Sequence, residues 1–395
     1  MKKFWLLLLL AFTPFLSFSI PTLSPQAKVS LITVAPGQEL YSCFGHSAIW
    51  IKDDTNHIDR VYNYGTFDFD TPGFYSKFIR GKLLYMLSVS RSDYMLYGAQ
   101  QEERSVIEQQ LNMTPSQKQR LFNFLETNYL PENRYYKYDF FYDNCSSRLR
   151  DAFIAALGDS LQFKNIVFKD QSFRQLIDPY LVNKQFQDLG MDLGLGTPAD
   201  KIATPSQYMF LPDQLMNAIG NATVLSDSGK TAFVTKNTVL YKANPPKNEG
   251  SFITPAMVFA ALLLIGGAAT FLNWKKRPQK FVYDGILFLI LGLFGLLLVF
   301  LWFGTDHHVT VHNWNLAWAF PTHIFAAIVL FKKKRSVFTG YYFLLNGIVV
   351  LIFTACISIL PQEINTSIVP LLLLIILRSF TLYYKITKRR NYYPI

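Results

Sequence analysis

The sequence predicts an α+β domain followed by an all-α domain of five membrane-spanning helices. Three observations carry this reading. The composition changes at about Ser251, from mixed polar and apolar residues to a stretch dominated by Leu, Ile, Phe, Val and Ala. Before that point, strand-like segments come first, helix-like segments next and a strand-like segment last, the order of an α+β fold. After it, five stretches reach the ~20 residues that a bilayer crossing takes.

In chain order, Lys2 and Lys3 precede a short apolar run from Phe4 to Leu16, and Ser17-Phe18-Ser19 follows. A basic start, a brief hydrophobic stretch and small residues make 1–19 a secretory signal, with an uncleaved first anchor as the alternative. Either way, the domain at 20–243 is exported. No cysteine lies near the cleavage point, so the chain is not expected to be a lipoprotein itself. An extended segment is expected at Lys28–Val34 and a turn at Pro36-Gly37. Gly45 to Lys52 and Asp59 to Gly65 are expected to form a hairpin around Asp53-Asp54-Thr55-Asn56. Centred on that turn, the hairpin sets Asn63 across from His46. Phe78–Val89 reads as further strand and Glu102–Leu111 as a helix. Thr114-Pro115-Ser116-Gln117 is a capping-box start for a helix to Tyr129. Another helix begins at Cys145 and stops at Gly158, with Leu149, Phe153, Ile154 and Leu157 as its apolar stripe. A strand near Ala232–Tyr241 closes the domain, and 244–251, rich in Pro, Asn and Gly, is a linker.

The membrane domain, 252–390, has expected spans at Phe252–Leu272, Gly285–Phe303, His312–Phe331, Val337–Leu360 and Ile364–Tyr384. Arg378, near the end of the fifth, is expected to snorkel to the interface. The net charge of +11 raises a nucleic-acid partner, but its distribution argues against one. Residues 251–395 hold 13 Lys and Arg against 3 Asp and Glu, whereas 1–250 hold 25 against 24. The excess clusters at Lys275 to Lys280, Lys332 to Arg335 and Lys385 to Arg390, after spans one, three and five. The positive-inside rule therefore puts those segments in the cytoplasm and the loops 304–311 and 361–363 on the side of the exported domain. This predicts a multi-pass protein of the inner membrane with its first domain in the periplasm.

Cys145 is the candidate nucleophile. A thiol attacks as its thiolate, and an unperturbed thiol has a pKa of ~8.5. A first-turn position exposes it to unpaired backbone N–H groups and the positive end of the helix dipole, which also suit an oxyanion. Arg148, three residues on, shares that helix face and adds positive charge. His46 is the well-placed base, Gly45 before it allows close approach of another backbone, and His57 falls at the solvated hairpin tip. Asn63 is positioned to orient the imidazole. The competing readings are an inert buried cysteine, a histidine satisfied inside a sheet, and a disulfide from Cys43 to Cys145 in an oxidising compartment. Cys356 lies within the fourth span as a packing residue. Four of the six histidines lie between 307 and 323, in a loop with Asp306. Its spacing matches no closed metal-ligand set, so no metal is expected there. The loop reads instead as a head-group or peptide surface, with Trp314 and Trp318 at the interface. Nothing in the sequence implies a cofactor.

Several segments together carry a resemblance. They are Ser42-Cys43-Phe44-Gly45-His46-Ser47-Ala48-Ile49, Tyr62-Asn63-Tyr64-Gly65-Thr66-Phe67 and Asp143-Asn144-Cys145-Ser146-Ser147-Arg148-Leu149-Arg150-Asp151. Thr204-Pro205, Phe210-Leu211-Pro212, and the loop pattern Thr305-Asp306-His307, Thr310, Asn313 and Asn315-Leu316 join them. In order and architecture the chain resembles the Lnb family of bacterial lipoprotein N-acyltransferases. The resemblance implies a circularly permuted papain-like domain, similar to lecithin:retinol acyltransferase and permuted cell-wall peptidases, with histidine before cysteine. It implies Cys145 as nucleophile, His46 as base and Asn63 as orienting group, with Asp306 and His307 toward substrate; Arg148, from its place on the Cys145 helix face, is a further substrate-binding candidate. The implied partners are diacylglyceryl-modified lipoproteins and membrane phospholipids as acyl donor, with the lipoprotein's own glycerol as the alternative donor. A membrane-tethered papain-like peptidase or amidase, and a non-catalytic lipoprotein-binding scaffold, remain the alternatives.

Overall fold

A computed structural model describes residues 20–164, 169–226, 229–244, 250–274 and 281–387. The expected signal segment, most of the linker and the basic cluster at 275–280 lie outside the described residues.

The first domain is organised by a seven-stranded antiparallel sheet. Along the chain come β1 (Lys28–Val34), β2 (His46–Asp53), β3 (Ile58–Thr66), helix α1 (Phe74–Ile79), β4 (Leu84–Ser90), α2 (Ser92–Gln101), β5 (Val106–Leu111), α3 (Pro115–Tyr129), β6 (Tyr135–Lys137) and α4 (Cys145–Leu157). Then follow β7 (Leu161–Gln162), the helices α5 (Phe173–Ile177), α6 (Gln185–Gly194), α7 (Pro205–Tyr208) and α8 (Pro212–Asn221), and strands β8 (Thr223–Ser226), β9 (Gly229–Ala232) and β10 (Val234–Tyr241). The large sheet runs β10-β5-β1-β2-β3-β4-β6, and β7-β8-β9 form a small second one. Six of the seven β1 residues are buried, as a central strand covered on both faces requires. On one face α3 and α4 bury Leu121, Phe122, Leu125, Leu149 and Phe153 against Leu31, Ile49, Ile51 and Tyr62. On the other, Met95 and Leu96 of α2 pack against Ile32, Ala48, Val61 and Val106.

The hairpin forms as expected, but its register differs. Asp53 pairs with Ile58 and Ile49 with Tyr62, so the turn is centred one residue later than the sequence suggested. The Asp53 carboxylate fixes it by accepting the Thr55 and Asn56 N–H groups and the Ser24 hydroxyl. Continued along the strands, this register sets His46 across from Gly65 rather than Asn63. A slip of two leaves His46 and Asn63 on the same face, because side chains alternate with period two. His57 occupies the exposed tip with φ of 51°.

Two element expectations fail. The helix expected at Glu102–Leu111 is instead the turn that caps α2 followed by strand β5, which pairs on both sides with β1 and β10. Two ladders outweigh the modest helix preference of Glu and Gln. The strand expected from Phe78 begins only at Leu84, because α1 occupies the first residues and Gly81, at φ of 66°, turns the chain. The capping box before α3 forms as written: Thr114 accepts from the Gln117 N–H and Gln117 from the Thr114 N–H.

The second domain contains α9 (Pro255–Leu272), α10 (Val282–Phe303), α11 (His323–Leu330), α12 (Val337–Ala355) and α13 (Val369–Thr387). Among the described residues, four helices are long and apolar enough to cross a membrane: α9, α10, α12 and Thr366–Thr387. The third expected span, His312–Phe331, is not a continuous helix. Its first half is irregular with a short 3-10 turn at Trp314–Ala317, and only the eight residues of α11 are α-helical. Pro321, which cannot continue a helix backwards, separates the halves. This segment nevertheless follows α10 along its length. Phe331 packs on Gly285, Ile324 on Gly292 and Ala319 on Gly295, where a Cβ would lie 1.8 Å from the Ala319 carbonyl oxygen. Irregular backbone at that depth is tolerable only inside protein, and Asn315, Trp318, Ala319 and His323 are all buried. Trp318 is thus a core residue stacked on Phe294, and of the two tryptophans only Trp314 is exposed. Arg378 does not snorkel. It makes a bidentate pair with Asp284 of α10, at 2.6 and 2.8 Å, and also bonds Thr270 of α9.

A polar seam joins the domains. Asn313 donates to the Leu193 and Gly194 carbonyls that end α6, Gln362 to Leu195, and Asn365 to Asp188 and Asp192. Arg174 of α5 in turn pairs with Asp192 and Asp200.

Candidate active site

Cys145 is the first residue of α4, and Asn144 is the N-cap that fixes its backbone. The Asn144 side-chain oxygen accepts the Ser146 and Ser147 N–H groups, each at 2.9 Å, and the Ser147 hydroxyl accepts the Asn144 N–H at 2.8 Å. The Asn144 amide nitrogen donates to the Phe140 and Phe210 carbonyls at 2.9 and 2.8 Å. All four of its bonding directions are used in a buried setting, so the cysteine cannot drift. The Cys145 N–H, at the first helical position, has no carbonyl within its own helix to bond.

His46 opens β2. Gly45 before it adopts φ of 84°, and a Cβ there would sit 2.9 Å from the Val34 carbonyl oxygen, so a side chain is barred twice over. The imidazole Nε2 lies 3.3 Å from the Asn63 side-chain oxygen. That amide's orientation is set from behind, because its nitrogen donates to the Val61 carbonyl and the Ser90 hydroxyl. Nε2 therefore carries the proton and Nδ1 is left for the thiol. The Ser146 hydroxyl lies 3.9 Å from the Cys145 sulfur, and the imidazole and the Ser47 N–H both act on that sulfur to favour its charged form. The Ser47 and Ser146 hydroxyls, 3.1 Å apart and buried, tie β2 to α4 beneath the pair.

Burial pushes the Cys145 thiol up, but the His46 charge and hydrogen bond, with help from Ser47 and Ser146, outweigh it and hold the thiol down at about 7. Burial lowers His46, yet the negative sulfur and Asn63 outweigh it and leave the imidazole raised. The two shifts describe one event, a thiolate stabilised by an imidazolium. Such a pair in a cysteine at a helix mouth can attack a carbonyl carbon and protonate a leaving group.

The structure thus brings Cys145, His46 and Asn63 together. All three cysteines are free. Cys43 donates to the Leu40 carbonyl at 3.1 Å, and burial raises its thiol. Arg148 faces away from an unmatched positive role: its guanidinium makes bonds of 2.5 and 2.7 Å to Asp143 and lies 3.5 Å over the Tyr136 ring. Asp306 and His307 join the loop after α10 to the first domain. Asp306 bonds Lys137 at 2.9 Å and its N–H donates to the Arg80 carbonyl, while the His307 ring lies 3.1 Å from the Ile79 carbonyl.

Asn144, Ser47, Ser146 and Tyr138 were not singled out from the sequence. Asn144 carried a readable signal, an Asn three residues before a Ser at a helix start. The serines and Tyr138 carried none, because only the folding of β2 and β6 against α4 gives them a role. Tyr138 packs partly buried beside Cys145, and desolvation together with the negative sulfur raises its phenol. Among the described residues, the ligand-type side chains that converge are Asp178, Asp188 and Asp192, with oxygens within 4.8 Å of one another. They line a cavity of about 330 Å³ at the seam, with Arg174 and Asn365, and belong to no part of the cysteine site.

Two family models match the chain. The Lnb N-terminal periplasmic domain matches residues 21–178, and the Lnb transmembrane domain matches residues 247–390. Searches of curated proteins and of solved structures find no match. The first match contains His46, Asn63 and Cys145, and the second contains the apolar helices and the loop with Asp306 and His307. The protein is accordingly a membrane protein with a periplasmic domain. Matched in both domains, in order and over most of its length, the chain belongs to the Lnb family.

Proposed function

We propose that the protein is a lipoprotein N-acyltransferase of the inner membrane, working through a thioester on Cys145. The reading rests above all on the pairing of buried Cys145 with His46, oriented by Asn63, in a domain joined to membrane helices. The histidine and asparagine lie on neighbouring strands and the cysteine on the helix packed against them. That layout supports a circularly permuted papain-like domain.

The Cys145 thiolate attacks an ester carbonyl of a membrane phospholipid, forming a C–S bond and a tetrahedral oxyanion. The Cys145 N–H, which has no partner within its own helix, is suited to hold that oxygen. The intermediate collapses with loss of the glycerol alkoxide, which takes the proton from the His46 imidazolium and leaves as lysophospholipid. The α-amine of a diacylglyceryl-modified N-terminal cysteine then attacks the thioester. Neutral His46 accepts the amine proton, the C–S bond breaks, and the thiolate–imidazolium pair is restored with an amide as product. Both substrates are held in the bilayer by acyl chains, which is the physical reason for an enzyme fixed there. Four long apolar helices and the broken span along α10 suit five crossings. Asp306 and His307 then act by tying the outer loop to the first domain at Lys137 and the end of α1, and Arg148 by shaping the wall beside Tyr136.

The test is mass spectrometry of lipoprotein N-terminal peptides from cells carrying the wild-type protein, no protein, or Cys145→Ser. Triacylated peptides should be present in the first alone, and purified wild-type protein should gain one acyl mass on Cys145 from phospholipid. Unchanged lipoproteins with altered cell-wall peptides would favour a peptidase, and a phenotype that survives Cys145→Ser would favour a scaffold.

A further inference from the structure

The first domain exposes a cluster of large apolar rings where a soluble domain would bury them. No residue of α1 is buried. Tyr75 is 75% exposed and Phe69 68%, and Phe78 and Ile79 are each about half exposed. The rings hold one another: Phe69 lies 4.9 Å from Phe74 and 5.0 Å from Phe67. A contiguous apolar patch of this kind marks a surface that is covered in use.

Three observations say what covers it. First, the patch is fixed at the end of a membrane helix. Asp306, three residues beyond the end of α10, donates its N–H to the Arg80 carbonyl just after α1, and His307 reaches the Ile79 carbonyl. Second, α1 and the residues just after it carry Lys77, Arg80 and Lys82 with no acidic residue between 74 and 82, and with Asp68 and Asp70 of the adjoining turn the patch keeps a net positive charge, complementary to phosphate head groups. Third, the rings lead inward. Phe67 lies 5.4 Å from Tyr85, and Tyr85 stacks on Tyr138 at 4.4 Å. Beyond Tyr138 stands Gly65, whose missing side chain would be 3.6 Å from the Tyr138 ring and 3.7 Å from the Cys145 Cβ.

We propose that α1 and the Phe67–Phe69 turn form a phospholipid platform, seated in the outer face of the bilayer, that delivers a donor acyl chain to Cys145 along Phe67, Tyr85 and Tyr138. This rests on the acyltransferase reading and names the side from which its donor approaches. Aromatic rings with basic neighbours are stable at the head-group level, where one edge is apolar and the other wet.

The test places a photoreactive benzoylphenylalanine at Tyr75 or Phe78 in the full-length protein, in nanodiscs of phosphatidylethanolamine and phosphatidylglycerol. A third variant carries it at His57, at the opposite end of the β2–β3 hairpin. Irradiation should give phospholipid adducts at 75 and 78 and none at 57. Equal labelling at all three sites, no lipid adduct at 75 or 78, or adducts there only with an added lipopeptide would each overturn the platform. A second arm compares the wild type with the triple variant Phe69→Ser, Tyr75→Ser, Phe78→Ser. Since these side chains are exposed, iodoacetamide should still alkylate Cys145 at the wild-type rate, whereas KM for phospholipid should rise roughly tenfold. An unchanged KM would count against the platform. The crosslink requires no turnover, so lipid adducts at 75 and 78 without acylation of Cys145 would defeat the acyltransferase reading and leave the platform standing.

Discussion

Cys145 and His46 share a charge, so neither titrates as it would alone. The thiol sits at about 7, below its ordinary value, because the imidazolium outweighs burial. The folded protein therefore holds the thiolate once pH rises through about 7, and alkylation of Cys145 by iodoacetamide should show its midpoint there. In His46→Ala the burial stays and the compensating charge goes, so the midpoint should move above ~8.5, with a roughly 100-fold slower reaction at neutral pH. A midpoint that ignores the substitution would sink the ion-pair account. At this scale the sequence was informative about identity and less so about geometry. A cysteine at a helix mouth and a lone histidine after glycine were legible. The Asn63 contact was reached through a register wrong by two residues, which kept the correct face because a strand repeats every two. The charge of Arg148 was legible, but not its bidentate partner Asp143 five residues back, since that pairing depends on how the chain turns into α4.

Among the elements, α4 depends most on a single cap. Asn144→Ala would remove two helix-end bonds, at about 1–2 kcal/mol for a buried cap, and leave the Phe210 carbonyl unpaired, at about 1–3 kcal/mol. A thermal melt of the purified protein should show a clear drop in Tm, with slower alkylation of Cys145 as the helix mouth loosens. A melt unchanged from wild type would show that the cap does not set α4. Capping chemistry is local, which is why the starts of α3 and α4 could be read from sequence. β5 could not, because Glu, Gln, Val and Ile between 102 and 111 allow either period and the choice was made by β1 and β10. The third span failed for a related reason. Its hydropathy suffices for a helix, but the polar side chains Asn313 and Asn315 are satisfied by the α6 carbonyls and by Trp318, which fixes an irregular path.

For the whole molecule, the seam makes stability depend on pH. Asp178 is raised to about 7 by burial and by Asp192, Asp188 and Glu363, which outweigh Arg174. Its ordinary value is 3.8, so the folded state binds this proton more tightly than the unfolded chain. The stability it confers is complete below 3.8 and is lost as pH rises through about 7. Asp178→Asn should flatten the fall in Tm across that window, read as the difference between the two proteins' melting curves. Parallel curves would remove Asp178 from the seam's pH response. Within the membrane the Asp284–Arg378 pair is the corresponding tie, joining α10 to α13 and, through Thr270, to α9. Sequence alone placed Arg378 near an interface, since nothing in one helix indicates a carboxylate ninety-four residues earlier.

By itself the sequence determined what period, composition and local caps can encode: an α+β domain, a membrane domain, and a cysteine and a histidine worth pairing. Tertiary structure alone decided the sheet order, the break in the third span, and which polar groups face each other across the seam and around the sulfur. Those outcomes depend on contacts between residues far apart in the chain, where pairing and burial energies exceed any local preference.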